Sequence, residues 1–254
     1  MSTSSTDLSD RRVSEIRLGI VSPMANEEVT AVRFVNEVLE QCAFNRFNSV
    51  TFFAVLDYQS KDKTLQLLSD LRERQPSLRI VWAPENTCVA DAYVRGYREA
   101  LGNGCDWILE IDCGFSHQPS DISQFFSKMV RGYDCVFGSR FSPGGRISEH
   151  SLKRRIVSRG GTVLSNVLLG TSLKDMTSGF QLFTRPALQS ALKNGVRSRG
   201  PFFQTEIKAY CRHLKITEVP IYYRGGSHTI DGVAIKDAFA NLWRLFRLRL
   251  RGGL

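Results

Sequence analysis

The residues of this chain best suited to chemistry are acids and arginines that stand just after short apolar runs. Asp112 closes the run Trp107 to Asp112 and opens the segment Cys113-Gly114-Phe115-Ser116-His117. A carboxylate held at such a tip is a usual anchor for a divalent cation that bridges a diphosphate. An ordinary solvated loop aspartate is the equal alternative. Arg140 closes Gly138-Ser139-Arg140, and Lys153, Arg154, Arg155 and Arg159 follow; residues 140–160 hold six Lys/Arg against one acid, Glu149. Arginine binds phosphate through two parallel bonds, and clustering beside the Gly-rich segment 142–148 favours phosphate over a plain solvated helix face. Pro23 to Glu27 follows another apolar run, where Asn26 and Glu27 either bond a ribose or base or, more simply, cap the next helix. Asp57 stands where a carboxylate accepts from a base N–H, whereas Asp62 reads more simply as a cap.

The elements that carry these residues alternate. Strands are expected at 17–22, 49–57, 78–82, 106–112 and 134–138. Helices are expected at 29–42, 64–71, 90–101 and 122–130. Such alternation implies a wound, mostly parallel α/β sheet, whose ligands bind beyond the carboxyl ends of the strands. The pattern then changes. Residues 142–148 read as a mobile loop, followed by a basic helix at 151–169, the run 179–184, a short helix near 187–192 and a helix at 203–214. A strand at 217–223 and a final helix from about 233 complete the chain.

Bulk properties narrow the partners. The 254 residues are 42% hydrophobic and carry a formal net charge of +9, which suits one large core and an anionic partner. No helix-turn-helix, RNA-binding or zinc pattern accompanies the charge, so nucleic acid is not expected. The six cysteines form no CxxC pair and fall in or beside apolar runs, as free thiols of a reducing compartment do. Residues 1–15 read as a polar, loose tail rather than a signal peptide, and no apolar run is long enough to span a bilayer. A soluble protein of the cytoplasm, or one lying on the cytoplasmic face of a membrane, is therefore expected.

Taken together, the segments resemble glycosyltransferase family 2, and within it the dolichol-phosphate mannosyltransferase branch with its bacterial polyprenol-phosphate relatives. The likeness runs from about residue 17 to 228. Residues 23–27 resemble the family's PTYNE, Asp57 to Thr64 its DDGSxDxT, Ala92 to Ala100 its donor helix, and 111–119 its DADLSHHP. GSRF (138–141), LKRRIVSRG (152–160), DMTSGFQLF (175–183), Phe203 to Glu206 and EVPIYY (218–223) follow in family order. The resemblance implies a GT-A fold over residues 16–230, a nucleotide-diphosphate sugar donor, inversion at the anomeric carbon and a lipid-linked phosphate acceptor. Pro23, Asn26, Glu27, Asp57, Ala92 and Asp112 would line the donor. Asp112 and Ser116 would hold Mg2+ or Mn2+, and Arg140 and Arg154 would meet the donor and acceptor phosphates. Positioning and charge stabilisation would then supply most of the rate.

The chain also departs from the family pattern. Gly114 replaces the second acid of the DxD, Tyr58 the second acid of DDGS, and His228 a lysine. The alternative reading is a catalytically impaired GT-A domain that binds nucleotide sugar or acts as a scaffold. Glu110, one pleat before Asp112, is a poor substitute ligand, because it lies about 6–7 Å deeper along the strand. In residues 231–254, Ile235, Phe239, Leu242 and Phe246 recur at helical spacing, with Arg244, Arg247 and Arg251 on another stripe. This helix is expected either to lie on an anionic membrane, or against a membrane protein, or to dock on the domain.

Overall fold

The computed structural model describes residues 13–148, 152–225 and 232–254, with the backbone alone for 152–154. The first half alternates as its periodicity dictates: β1 (Arg17–Pro23), α1 (Ala31–Ala43), β2 (Ser49–Leu56), α2 (Thr64–Arg72), β3 (Leu78–Trp82), α3 (Val89–Gly102), β4 (Trp107–Glu110), α4 (Ile122–Met129) and β5 (Cys135–Ser139). The second half adds β6 (Arg146–Ile147), α5 (Leu152–Leu169), β7 (Gln181–Thr184), α6 (Arg185–Lys193), α7 (Phe203–Tyr210), β8 (Ile216–Pro220), β9 (Tyr222–Tyr223) and α8 (Gly232–Leu250).

Seven strands form one sheet in the order β3-β2-β1-β4-β7-β5-β8. All pairings are parallel except those of β7, which runs antiparallel to both β4 and β5. The chain winds outward from β1 in both directions, so a crevice opens where β1 and β4 diverge at their carboxyl ends. The expected strand at 217–223 is two strands, because Pro220 ends β8 on β5 while Tyr222 and Tyr223 pair with β6 in a separate two-stranded sheet. That pairing also ties down residues 146–147 of the segment expected to be a mobile loop. The helix expected at 203–214 stops at Tyr210.

Two apolar layers cover the sheet. Leu18 and Ile20 of β1 pack with Phe34, Val35 and Val38 of α1 and with Phe125 of α4. Val21 packs on the opposite face with Tyr93 and Tyr97 of α3 and with Phe203 and Ile207 of α7. The six cysteines are free thiols, and all but the half-buried Cys88 are buried.

Helix α3 closes on β1 and β2 at Gly96. A Cβ there would lie 2.3 Å from Val21 Cγ1 and 3.0 Å from Val55 Cγ2. In an open helix, alanine for glycine gains about 1 kcal/mol; here it overpacks a strand, which costs about 1–3 kcal/mol. Gly96→Ala is therefore expected to lower the urea midpoint. A raised midpoint would show that α3 can draw back from β1 and β2.

Candidate functional site

The tip of β4 is held by a match between two periods. Glu110 and Asp112 are two residues apart on an extended segment, about 6.6 Å. Tyr97 and Tyr93 are four apart on α3, about 6 Å. Each tyrosine hydroxyl therefore donates to the acid opposite it, Tyr97 to Glu110 and Tyr93 to Asp112. Glu110 is fully buried and also accepts from Gln181 Nε2 and Gln204 Nε2, both at 3.1 Å. Burial pushes its carboxyl well above the usual range, against the opposing effect of the Tyr97 bond. Glu110 belongs to the core and is in no position to share an ion with Asp112.

Asp112 is 35% exposed. Its N–H donates to Nδ1 of the buried His117 at 3.4 Å. Burial lowers the His117 pKa despite the nearby Asp112 charge, so the imidazole is neutral and accepts. The following turn takes two positive φ values in succession, 81° at Gly114 and 61° at Phe115. Phe115 is fixed by Phe34, ring centroids 5.4 Å apart, and by the Arg33 guanidinium 4.9 Å from its centroid. A side chain at 114 would have its Cβ 3.1 Å from Glu27 Oε1. An acid there would be strained in its backbone and would face a like charge.

Of the expected caps, Asp62 bonds the first turn of α2, whereas the start of α1 has no side-chain cap and meets Glu27 through its main chain. The Glu27 carbonyl accepts from the Thr30 and Ala31 N–H groups at the start of α1, and its carboxylate accepts from the Thr30 hydroxyl. Asp62 accepts from the Thr64 N–H at 3.0 Å and the Glu28 N–H at 2.9 Å. Asn26 ties the two loops together, donating to Gln59 O and accepting from Lys61 N–H, each at 2.8 Å. Asp57 Oδ1 accepts from Gln59 N–H at 2.8 Å. Pro23 ends β1. Ala92 is not on the open face: it is a core residue, 4% exposed. Ser116 is half-buried, and its carbonyl accepts from Arg224 N–H at 2.8 Å.

These donors do not fit a protein-held divalent cation. Such an ion takes about six oxygen ligands, several of them commonly carboxylate. Among the described residues no group of three His, Cys, Asp or Glu is placed to hold a metal ion. Asp112 is a single carboxylate, already bonded to Tyr93, and Gly114 offers no side-chain oxygen.

The arginines lie across the crevice. Arg140 differs from the expectation of an open phosphate ligand: its side chain is 5% exposed and forms a two-point ion pair with Asp175, Nε to Oδ2 at 2.7 Å and Nη2 to Oδ1 at 2.8 Å. Only Nη1 of the guanidinium makes no bond among the described residues. Burial opposes both charges, and the pair overrides it, raising the Arg140 pKa and lowering that of Asp175. Lys208, fully buried, donates to Asp175 O and Ser178 O at 2.9 Å, and burial lowers its pKa to about 8. Glu218 accepts from the Lys174 and Asp175 N–H groups. The role of Arg154 lies outside the described residues, since only its backbone in α5 is described, and His228 lies outside them altogether.

Beside Arg140, a cavity of about 440 Å³ is lined by Arg140, Gly145, Arg146, Ile147, Ser148, Arg155 and Tyr222, with no acid among them. Aromatic rings space the cations. Phe141 lies between Arg140 at 5.4 Å and Arg159 at 5.2 Å, and Tyr222 between Arg146 at 5.0 Å and Arg224 at 5.3 Å. The wall is therefore positive, rigid and shaped for an anion. Reading from sequence missed Asp175 and Lys208, which lie in or beside otherwise apolar segments; a buried acid opposite an arginine was the available signal.

A wound sheet with β7 reversed, a carboxylate at the tip of β4 and an arginine wall across the crevice define a GT-A nucleotide-sugar-binding fold. Residues 19–192 match Glycosyl transferase family 2, and the chain belongs to that family. It is 28% identical over 195 residues to the undecaprenyl-phosphate mannosyltransferase of Micrococcus luteus, covering 75% of this chain and 80% of that protein. It is 25% identical over 241 residues to the polyprenol monophosphomannose synthase of Mycolicibacterium smegmatis, covering 92% and 88%. Among solved structures, glucosyl-3-phosphoglycerate synthase from Mycobacterium tuberculosis with UDP superposes with a TM-score of 0.68 at 15% identity, over 97% of this chain and 86% of that one. The same enzyme with Mn2+, UDP-glucose and phosphoglyceric acid also gives 0.68 at 15% identity, with the same coverage. The chain is thus a glycosyltransferase of GT-A fold.

The buried and exposed arginines are expected to behave differently. Arg140→Ala strands Asp175 and should cost about 3–5 kcal/mol of stability. Arg155→Ala, at an exposed position, should stay within about 0.5 kcal/mol. Denaturant titration of both variants checks this; equal stabilities would refute the structural role of the Arg140–Asp175 pair.

Proposed function

We propose that the enzyme transfers a sugar, with inversion, from a nucleotide-diphosphate sugar to a polyprenol phosphate. The observation that carries this reading is the arginine cavity beside Arg140, whose described lining holds no acid. The names of the two curated relatives support the acceptor class. In the reaction an acceptor phosphate oxygen attacks the anomeric carbon and the nucleoside diphosphate leaves. The attacking oxygen is already anionic, so no side chain must take a proton. Pro23, Asn26, Glu27 and Asp57 flank the nucleoside, and Asp112 orients the sugar-diphosphate end. Arg146, Arg154 and Arg155, with Nη1 of Arg140, neutralise the phosphates that approach and leave.

The test is transfer of labelled sugar from GDP-, UDP- or dTDP-sugars into an extractable polyprenol phosphate. Arg155→Ala should lower turnover about a hundredfold or more, as loss of an oriented charge in the transition state does. Near-normal turnover in both Arg155→Ala and Arg154→Ala would sink the assignment.

The arginines carry the leaving-group charge that a metal ion carries elsewhere. Mn2+ accompanies the nucleotide in the solved enzyme above. In this chain, calorimetric affinity for the nucleoside diphosphate should fall only a few-fold on adding EDTA. A loss beyond about a hundredfold, about 2.7 kcal/mol, would show that a cation is essential.

The acceptor's lipid tail requires a route to a membrane. No described helix is long and apolar enough to cross one. The face of α8 differs from the expected stripe: Leu242 is buried at 5% exposure, and Arg244 pairs with the buried Glu206. Ile235 and Phe239 of that stripe are exposed, and Val233, Trp243 and Leu250 join them, beside the exposed Lys236 and Arg247. On α5, Ile156, Val163 and Val167 are exposed as well. These helices pack together, and an anionic bilayer surface suits both their apolar and their basic residues. The protein should float with anionic liposomes, and Phe239→Ser with Trp243→Ser should abolish flotation. Deleting the helix would instead remove packed Leu242 and Leu245. Equal flotation of the double variant would refute the membrane contact.

A further inference from the structure

A second cavity lies beside α3. Its volume is about 460 Å³, inside the range of about 300–1,000 Å³ usual for small-molecule sites. It shares no lining residue with the arginine cavity beside Arg140. Tyr93 and Tyr97 of α3 turn to the acids of the β4 tip, whereas Val94, Arg95 and Arg98 of the same helix line this cavity. The facing wall is Leu192 of α6 and the segment 195–199 that follows it.

Four arginines meet there for local reasons. Arg95 and Arg98 are three apart on α3 and so share a face. Arg197 and Arg199 are exposed on either side of the buried Ser198. Ser198 fixes the segment: its N–H donates to Glu206 Oε2 at 2.9 Å and its hydroxyl to Asp237 Oδ2 at 2.5 Å. The Arg197 N–H donates to Glu206 as well, at 3.1 Å. The wall is therefore ordered before anything binds to it.

The cavity offers donors and little to meet them. Its two acids are engaged: Asp91 Oδ2 accepts from the Thr87 N–H at 2.9 Å and hydroxyl at 2.6 Å, and Glu85 accepts from Arg95. Four arginines against those two acids leave the lining at a formal +2. The guanidinium groups of Arg98 and Arg197 make no hydrogen bond or ion pair among the described residues. Arg199 uses only Nη2 of its guanidinium, donating to Thr87 Oγ1 at 2.8 Å. Asn86 lines the same cavity, and its buried Nδ2 has no acceptor among the described residues. A buried donor left unmade is costly, so the cavity calls for an acceptor-rich anion.

We propose that this cavity binds a small phosphate ester or diphosphate, at a site separate from the sugar-transfer crevice. A carboxylate brings one charge and two oxygens. A phosphate brings up to two charges and three oxygens, which suits several guanidinium forks at once. Arg98, Arg197 and Arg199 meet the phosphate oxygens, and Asn86 Nδ2 donates to the deepest of them. Ala90, Val94, Leu192 and Val196 supply an apolar floor for the organic part of the ligand. The assignment is independent of which acceptor the enzyme uses.

The test is amide hydrogen exchange of the full chain with inorganic pyrophosphate as the probe. Pyrophosphate should slow exchange in residues 85–98 and 192–199. Arg98→Gln combined with Arg197→Gln should abolish that slowing. Both side chains are exposed, so exchange without pyrophosphate should match the wild type. Asn86→Asp sets a like charge against the anion and should raise the half-effective pyrophosphate concentration at least tenfold. Arg155→Ala, in the other cavity, should leave the slowing of both segments intact. The proposal is overturned if the wild type shows no slowing there, if the slowing survives in the double variant, or if Asn86→Asp leaves the half-effective concentration unchanged. Loss of the slowing in Arg155→Ala would trace it to the transfer crevice and also overturn the site. Slowing by vesicles of phosphatidic acid but not by pyrophosphate would place a lipid headgroup there and overturn the soluble ligand.

Discussion

The Asp175 carboxylate is the contact on which the second half of the molecule depends. It is wholly buried, and it accepts from the Arg140 backbone and guanidinium and from Thr177. A buried charge survives only when paired and fully bonded. The chain meets that demand by folding residues 174–180 back onto the end of β5, where Lys208 and Glu218 hold the flanking backbone. That fold-back brings β7 between β4 and β5 in the reversed direction. It also places Arg140 at the edge of the crevice with one nitrogen left over.

A second consequence is the separation of labour between charges. Arg140 is structural on two of its nitrogens, while Arg146 and Arg155 stand in a wall whose described lining holds no acid, with Phe141 between Arg140 and Arg159 and Tyr222 against Arg146. The rings keep cations apart that would otherwise repel, and they do so without neutralising them. A wall built this way stays positive when the ligand leaves.

The first half of the fold was legible because apolar periodicity decides it: β1, β2, β4 and β5 are buried over most of their length, the edge strand β3 at Leu78 and Val81, and each helix presents one apolar face. The second half was less so. Tyr222 and Tyr223 read as the continuation of β8, since periodicity does not register that Pro220 breaks the ladder. Arg140 read as an open ligand because its partner lies 35 residues on, and sequence spacing carries no sign of such a pairing. Asp62 is legible as a cap because a cap is a contact within a few residues, whereas at Glu27 only the main-chain carbonyl meets the start of α1. The stripe expected on α8 divides, Leu242 docking while Ile235 and Phe239 stay exposed, since a helix with apolar residues around much of its circumference does not declare which of them docks.

The left-handed turn at Gly114 bears on how this chain can change. Reverting to an acid at that position does not restore a neighbour's arrangement by one step. The new side chain meets Glu27 Oε1, which already fills the space, and it adopts a backbone conformation suited to glycine. The Glu27 carboxylate in turn accepts from the Thr30 hydroxyl, while its carbonyl accepts from the N–H groups at the start of α1. The cost of a side chain at 114 is therefore set in part by Glu27, whose carboxylate must give way to the new Cβ and with it loosen the bond it accepts from the Thr30 hydroxyl.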